Sequence, residues 1–260
     1  MTRWACAFCG PTDGKRTKEH LWPTSLYRRV LALLDGGEQK FWVARLDKAI
    51  SNEPTIRDVC AVCNNGELSR LDNYICQVFD RDFSVIRERG EKVALEYDYH
   101  LLKRWLLKMS YNSARMSGSD VPVFQPLLPY IMGQSLSAGR SVKLFLEMTY
   151  PSEIPSEEAQ VGMPTTVRPV VNRVGFVGYE TPTGMKLVRA VHLRSFSFLL
   201  AFLPPAASAA SMRAFVEEFL SSRPAARELR ASMSQVMLHC DGIDCWTSLT
   251  SGMTHRLGFK

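Results

Sequence analysis

The chain has 260 residues, enough for one large domain or two small ones with a normal core. Its 46% hydrophobic and 22% charged content describe an ordinary globular protein, and no apolar run approaches the length needed to span a membrane. The formal net charge of +6 suits a polyanionic partner but is spread thinly, with eleven basic against ten acidic residues before position 81 and no basic tail.

Seven cysteines stand at 6, 9, 60, 63, 76, 240 and 245. The opening MTRWACAFCG lacks the apolar centre of a secretion signal, so a cytoplasmic protein is expected. An odd cysteine count in that setting argues against a disulfide framework.

The first predicted element is a C-x-x-C turn, Cys6 to Cys9, and a second follows at Cys60 to Cys63. Each such turn aims two sulfurs at one point, and two together supply the four thiolates of a tetrahedral zinc site. The 50 residues between Cys9 and Cys60 exceed the spacing of compact fingers, so this interval must hold structure of its own. Within it stands KEHLWP, residues 18–23, which sets Glu19 beside His20 before a strand-ending proline.

Residues 25–37 read as a helix capped by Ser25 or Thr24, with Leu26, Val30 and Leu33 or Leu34 on its apolar side and Gly36 and Gly37 as its stop. Residues 40–46 and 55–60 read as strands. After the second turn, Leu68, Leu71, Ile75 and Val78 or Phe79 recur at helical spacing from near Gly66. Cys76 falls in that helix as a small buried residue, and Trp22 is expected to pack over the zinc module.

Residues 99–117 predict a long helix with Leu102, Trp105 or Leu106, and Met109 inward. Its basic residues Lys103, Arg104, Lys108 and Arg115 read as a solvated face, with phosphate contact as the other reading. His100 is expected to be a polar residue at the helix start.

Beyond residue 119, prolines at 122, 126 and 129 break the chain. Residues 141–150, 166–180 and 185–203 are rich in strand formers, with Pro169 and glycines splitting the middle stretch, and 211–223 is an amphipathic helix. The fold class expected is α+β: an N-terminal zinc module at 1–80, a helical connector at 81–118 and an α+β accessory domain at 119–260. His239, Cys240 and Cys245 lie too close in sequence, without a fourth ligand, to make a convincing second metal site. His192 reads as structural.

The motifs CAFC, EHLWP and CAVCNNGELSRL, in that order, resemble the HNH endonucleases of the ββα-metal group whose two cysteine knuckles hold a structural zinc. The resemblance covers roughly residues 6–75. It implies that His20 ends the first strand of a hairpin as general base, and that Glu19 and Asn64 hold one catalytic Mg²⁺ or Mn²⁺. The family's middle asparagine, which orients the histidine, has Asn52 as its candidate here. Glu19 stands where the commonest family form has Asp, and no second histidine follows Cys63.

Implied with it are DNA, double-stranded, as substrate, a possible protein partner for the C-terminal region, and a bacterial defence or mobile-element setting. Two rival readings remain open. One is a non-catalytic zinc module that binds nucleic acid or protein; the other is an RNA-cleaving HNH toxin.

Overall fold

A computed structural model describes residues 3–34, 41–43, 48–50, 53–157, 165–170, 172–181, 184–204 and 206–256. Helices and strands are mixed throughout, and the chain divides into two units. The first takes residues 1–81 and 100–139, and the second takes 82–99 and 140–260.

In the first unit, β1 (Trp4–Cys6) and β2 (Gly10–Thr12) form a hairpin in which Cys6 faces Gly10. Gly10 has φ +77°, a conformation that L side chains rarely adopt, and this lets the chain turn back at Cys9. β3 (Arg16–His20) pairs antiparallel with β6 (Thr55–Cys60). Between them run α1 (Thr24–Ala32) and a pair of short antiparallel strands, β4 (Phe41–Val43) and β5 (Lys48–Ile50).

α1 starts directly after Pro23, with no side-chain cap from Thr24 or Ser25. Leu26 and Val30 are buried as the spacing predicts, while Leu33 is 44% exposed and already at the helix end. The glycines expected to stop the helix, Gly36 and Gly37, lie outside the described residues, as does Asn52.

β6 passes without a loop into one turn of helix, α2 (Ala61–Cys63), then a wider π turn over Asn64–Leu68, then α3 (Ser69–Val78). Gly66 departs from helical geometry inside that π turn, so the chain kinks there and regular helix resumes only at Ser69. Leu68, Leu71, Ile75, Val78 and Phe79 are all buried.

Helix α4 (Tyr99–Ser117) belongs to the first unit from His100 onward. Residues 102–112 are buried on every side. The solvated basic face expected from the sequence is therefore corrected: Lys103, Arg104 and Lys108 are 3%, 6% and 1% exposed. Carboxylates from other elements neutralise three of the four basic residues expected on that face, since Arg104 meets Glu67, Lys108 meets Asp72 and Glu19, and Arg115 meets Asp58.

Trp22 packs against Trp105 on this helix, with ring centroids 6.2 Å apart. The prolines after residue 119 do not simply break the chain. Pro122, Pro126 and Pro129 each sit in the first turn of a short helical segment: α5 (Val121–Phe124), a 3₁₀ turn (Gln125–Leu127) and α6 (Leu128–Ile131). A proline fits there because a first-turn N–H has no intrahelical partner to lose.

In the second unit, β7 (Lys92–Glu96) pairs with a strand from far along the chain. The main sheet begins with β8 (Val142–Tyr150), and the short β9 (Ser152–Glu153) and β10 (Thr166–Val167) pair with each other. β11 (Arg173–Thr181), β12 (Gly184–Leu193) and β13 (Phe196–Phe202) then run antiparallel in sequence. The apolar stretch 185–203 is thus two strands, reversed at Arg194 and Ser195, with Arg194 at φ 52°.

After α7 (Ala209–Ser222) come β14 (Arg227–Leu229), β15 (Gln235–His239), which is the partner of β7, β16 (Ile243–Asp244) and α8 (Cys245–Arg256). The sheet order is β11-β12-β13-β8-β14, with β16 parallel to β8. Met212, Phe215 and Phe219 of α7 pack on Phe145, Val188, Ala190, Leu199 and Ala201 of the sheet. No helix among the described residues is long and apolar enough to cross a membrane.

Candidate metal centre and adjoining cleft

The hairpin β1–β2 carries Cys6 and Cys9, and the junction of β6 with α2 carries Cys60 and Cys63. Pairing of Arg16 with Cys60 brings the two turns together across 51 residues of chain. All four sulfurs lie within 4.8 Å of one another, and Cys9 and Cys60 are 3.7 Å apart. Thiolates around one zinc at about 2.3 Å in a tetrahedron are separated by about 3.8 Å, so the cluster fits a structural metal ion such as zinc.

Backbone amides point at the sulfurs, from Cys60 N–H to Cys6 Sγ at 3.3 Å and from Cys63 N–H to Cys60 Sγ at 3.5 Å. Burial opposes ionisation of Cys6, yet backbone donors at Cys60, Phe8 and Cys9 lower its thiol to about 7. Burial raises Cys9 to about 11 and pushes Cys63 up as well, with the crowding of other sulfurs adding to it. A cation at the centre reverses that balance, because it supplies the charge the four sulfurs lack.

Among the described residues this is the one cluster of three or more such ligands. His239, Cys240 and Cys245 do not form a second. Cys240 and Cys245 are both buried, and Cys240 Sγ instead approaches the Arg87 carbonyl at 3.6 Å.

Beside the cluster opens a cleft of about 230 Å³, lined by Lys18, Glu19, His20, Asn64 and Asp72 among others. His20 ends β3. Its Nδ1 stands 2.8 Å from Glu53 Oε2, a close ion-pair contact that is off the line of a good hydrogen bond. Glu53 raises the imidazole above its usual range, against the opposing effect of partial burial.

Glu19 is 4% exposed. Its Oε1 accepts from Asn112 Nδ2 at 3.0 Å and lies 3.0 Å from Lys108 Nζ. Lys108 also reaches both oxygens of Asp72 at 2.7 Å, and Trp105 Nε1 donates to Asp72 Oδ1 at 3.1 Å. Burial pushes the Asp72 carboxyl up. Burial alone would depress Lys108, but Asp72 and Glu19 outweigh it and hold the ammonium above its ordinary value.

Asn64 begins the π turn after the second knuckle. Its Nδ2 donates to Thr17 Oγ1 and to the Lys18 carbonyl, both at 3.0 Å. This coincides with the irregularity in the β3–β6 pairing between Thr17 and Glu19, where the ladder leaves backbone groups to be satisfied otherwise. With the amide nitrogen committed to strand β3, the amide oxygen is the atom left for a ligand on the cleft.

Thus the cleft brings together Glu19, His20 and Asn64, while Asn52 lies outside the described residues. Sequence reasoning missed Glu53, Asp72 and Asn112, and it read Lys108 as part of a solvated or phosphate-contacting face. Glu53 adjoins the Asn52 candidate, and Lys108, Asn112 and Arg115 recur at helical spacing as a polar stripe. No local pattern joins that stripe to Asp72 or Glu19. A larger hollow of about 460 Å³ adjoins the cleft and shares Asn65, Ser69 and Asn73 with it, with Arg70 on its wall.

No protein-family model, no curated protein and no solved structure matches the chain.

Proposed function

We propose that the chain is a metal-dependent HNH-type endonuclease that hydrolyses phosphodiester bonds in DNA. The observation that carries this reading is the common cleft of Glu19, His20 and Asn64, the last of which follows Cys63 of the four-cysteine cluster directly in the chain. The order of elements supports it: strand β3 ending in His20, its antiparallel partner β6, then the helical run that opens at Asn64. The cysteine cluster, holding zinc, ties these elements together.

The donors fit a catalytic Mg²⁺ or Mn²⁺. Glu19 offers its Oε2 and Asn64 its Oδ1, both hard oxygens, and such ions keep water and phosphate oxygens in their other positions. When bound, the ion supplies charge stabilisation at the phosphate and the leaving oxygen. His20 takes the proton from the attacking water through the ring nitrogen that does not face Glu53. Glu53 stabilises the imidazolium so formed. Attack on phosphorus with departure of the 3′ oxygen, which takes a proton from solvent, leaves a 5′-phosphate and a 3′-hydroxyl.

The adjoining hollow extends the surface available to a polynucleotide beyond the scissile phosphate, and exposed Arg70 and Lys18 offer it positive charge. In this reading the substrate is double-stranded DNA, the setting is the bacterial cytoplasm in a defence or mobile-element system, and the second unit receives a protein partner or positions the substrate.

One observation favours the non-catalytic rival. The ion pair of Glu19 with Lys108 gives the acid a role in packing without any metal. Plasmid DNA and single-stranded RNA, incubated with Mg²⁺ or Mn²⁺ and with wild type or His20→Ala, separate the readings. The endonuclease reading expects DNA cleavage that drops by about 10²–10⁴ in the variant, at unchanged zinc content and, at a pH where His20 is neutral, nearly unchanged thermal stability. Cleavage of RNA alone moves the reading to the toxin. No cleavage of either substrate by wild type moves it to the binding module.

A further inference from the structure

One buried ammonium stands between two acids that line the cleft. Lys108 Nζ is 2.7 Å from each oxygen of Asp72 and 3.0 Å from Glu19 Oε1, and the lysine is 1% exposed. Trp105, Lys108 and Asn112 follow at helical spacing on α4. A single rigid helix therefore directs three donors at acids carried by two other elements, α3 and β3.

The acids line the same cleft, and the Asp72 side chain is the more exposed at 19% against 5% for Glu19, yet their oxygens are not equally engaged. Both oxygens of Asp72 are held by Lys108, whereas the contacts of Glu19 with Lys108 and Asn112 are made at Oε1. One positive charge set against two negative charges leaves one net negative charge on this trio of side chains. Buried charge demands compensation, and its count governs what cation a site accepts.

We infer that Lys108 is a positioning residue that sets the cation occupancy of the cleft: it withdraws Asp72 from the ligand set and leaves Glu19 as the one carboxylate presented, so the cleft takes a single divalent cation. The inference deepens the endonuclease reading and rests on it for the choice of ion. Charge counting predicts a cycle. Removing Lys108 leaves two free carboxylates, removing the charge of Asp72 leaves none uncompensated, and removing both restores the original net charge. A unit charge about 6 Å from the ion changes affinity by about ten- to a hundred-fold at the effective dielectric of a partly buried site.

The test uses the full chain with zinc in place and titrates Mn²⁺, with free ion followed by electron paramagnetic resonance. Wild type is expected to bind one Mn²⁺. Lys108→Met is expected to bind Mn²⁺ about ten-fold tighter or more, or to take a second ion. Asp72→Asn is expected to bind at least about ten-fold more weakly, and the double variant should return close to wild type. A purely structural role for Lys108 gives lower melting temperatures without this alternation of affinity, and that result overturns the inference. If Lys108→Met does not fold, the near-isosteric Asp72→Asn decides alone, since unchanged Mn²⁺ affinity there refutes the charge count. Wild type binding no Mn²⁺ also overturns it. The alternation occurring in a chain that cuts no DNA sinks the endonuclease reading and leaves the cation site standing.

Discussion

His20 and Glu53 stand 2.8 Å apart, Nδ1 to Oε2, with His20 at the end of β3 and Glu53 just before β6 begins. Because the two strands are antiparallel, their open ends meet, and an acid 33 positions along the chain becomes the partner of the candidate base. The carboxylate raises the imidazole, so a larger share of His20 is protonated near neutral pH than for a free histidine.

A general base works only when neutral. Cleavage by wild type is therefore expected to rise with pH through a midpoint above 6.5. Glu53→Gln removes the main cause of the raised value, and the midpoint should move to lower pH. A pH–rate profile of the two proteins checks this, and an unmoved midpoint refutes the pairing. The stability term has the opposite sign. With the folded value raised, the pair stabilises the fold below the unfolded pKa, and this contribution is lost as pH rises through the folded one.

The cysteine cluster predicts a sharp division among the seven thiols. Cys60→Ser is expected to abolish metal binding and unfold the first unit, since closing such a site contributes on the order of 10 kcal/mol. Cys240→Ser is expected to leave metal content unchanged, because Cys240 lies outside the cluster. Elemental analysis of the purified proteins measures both, and folded wild type without metal would remove the basis of the cluster's structural role.

Asn64→Ala deletes two hydrogen bonds to strand β3, at Thr17 Oγ1 and the Lys18 carbonyl. A loss of about 1–2 kcal/mol in denaturant unfolding is expected, at the lower end because the Lys18 contact is exposed. The variant should also bind Mn²⁺ more weakly. A loss of stability at unchanged Mn²⁺ affinity would assign Asn64 to the strand alone.

Gly133 follows α6 with φ +71°. A Cβ there would lie 2.7 Å from Arg104 Nη2, and Arg104 cannot retreat without breaking its bonds to the Ile131 carbonyl at 3.0 and 2.9 Å. Gly133→Ala is therefore expected to cost about 1–3 kcal/mol, read as a lower melting temperature of the first unit. An unchanged melting temperature would show that the guanidinium has room to move.

The sequence by itself determined the two cysteine turns, the apolar spacing of Leu68, Leu71 and Ile75, and the long helix at 99–117, while the strand that ends at His20 was expected from the family resemblance. Those features are local: a C-x-x-C turn and a helical repeat are set by residues within a few positions of one another. Only the tertiary structure decided which charges are buried and with what. Lys108 meets Asp72 across 36 positions, and Asn112 meets Glu19 across 93. A basic stripe on a helix has one appearance in sequence whether water or distant carboxylates cover it. Desolvation makes the difference, since a buried cation persists only where packing brings it an acid, and that pairing comes from elements whose separation along the chain carries no local signal.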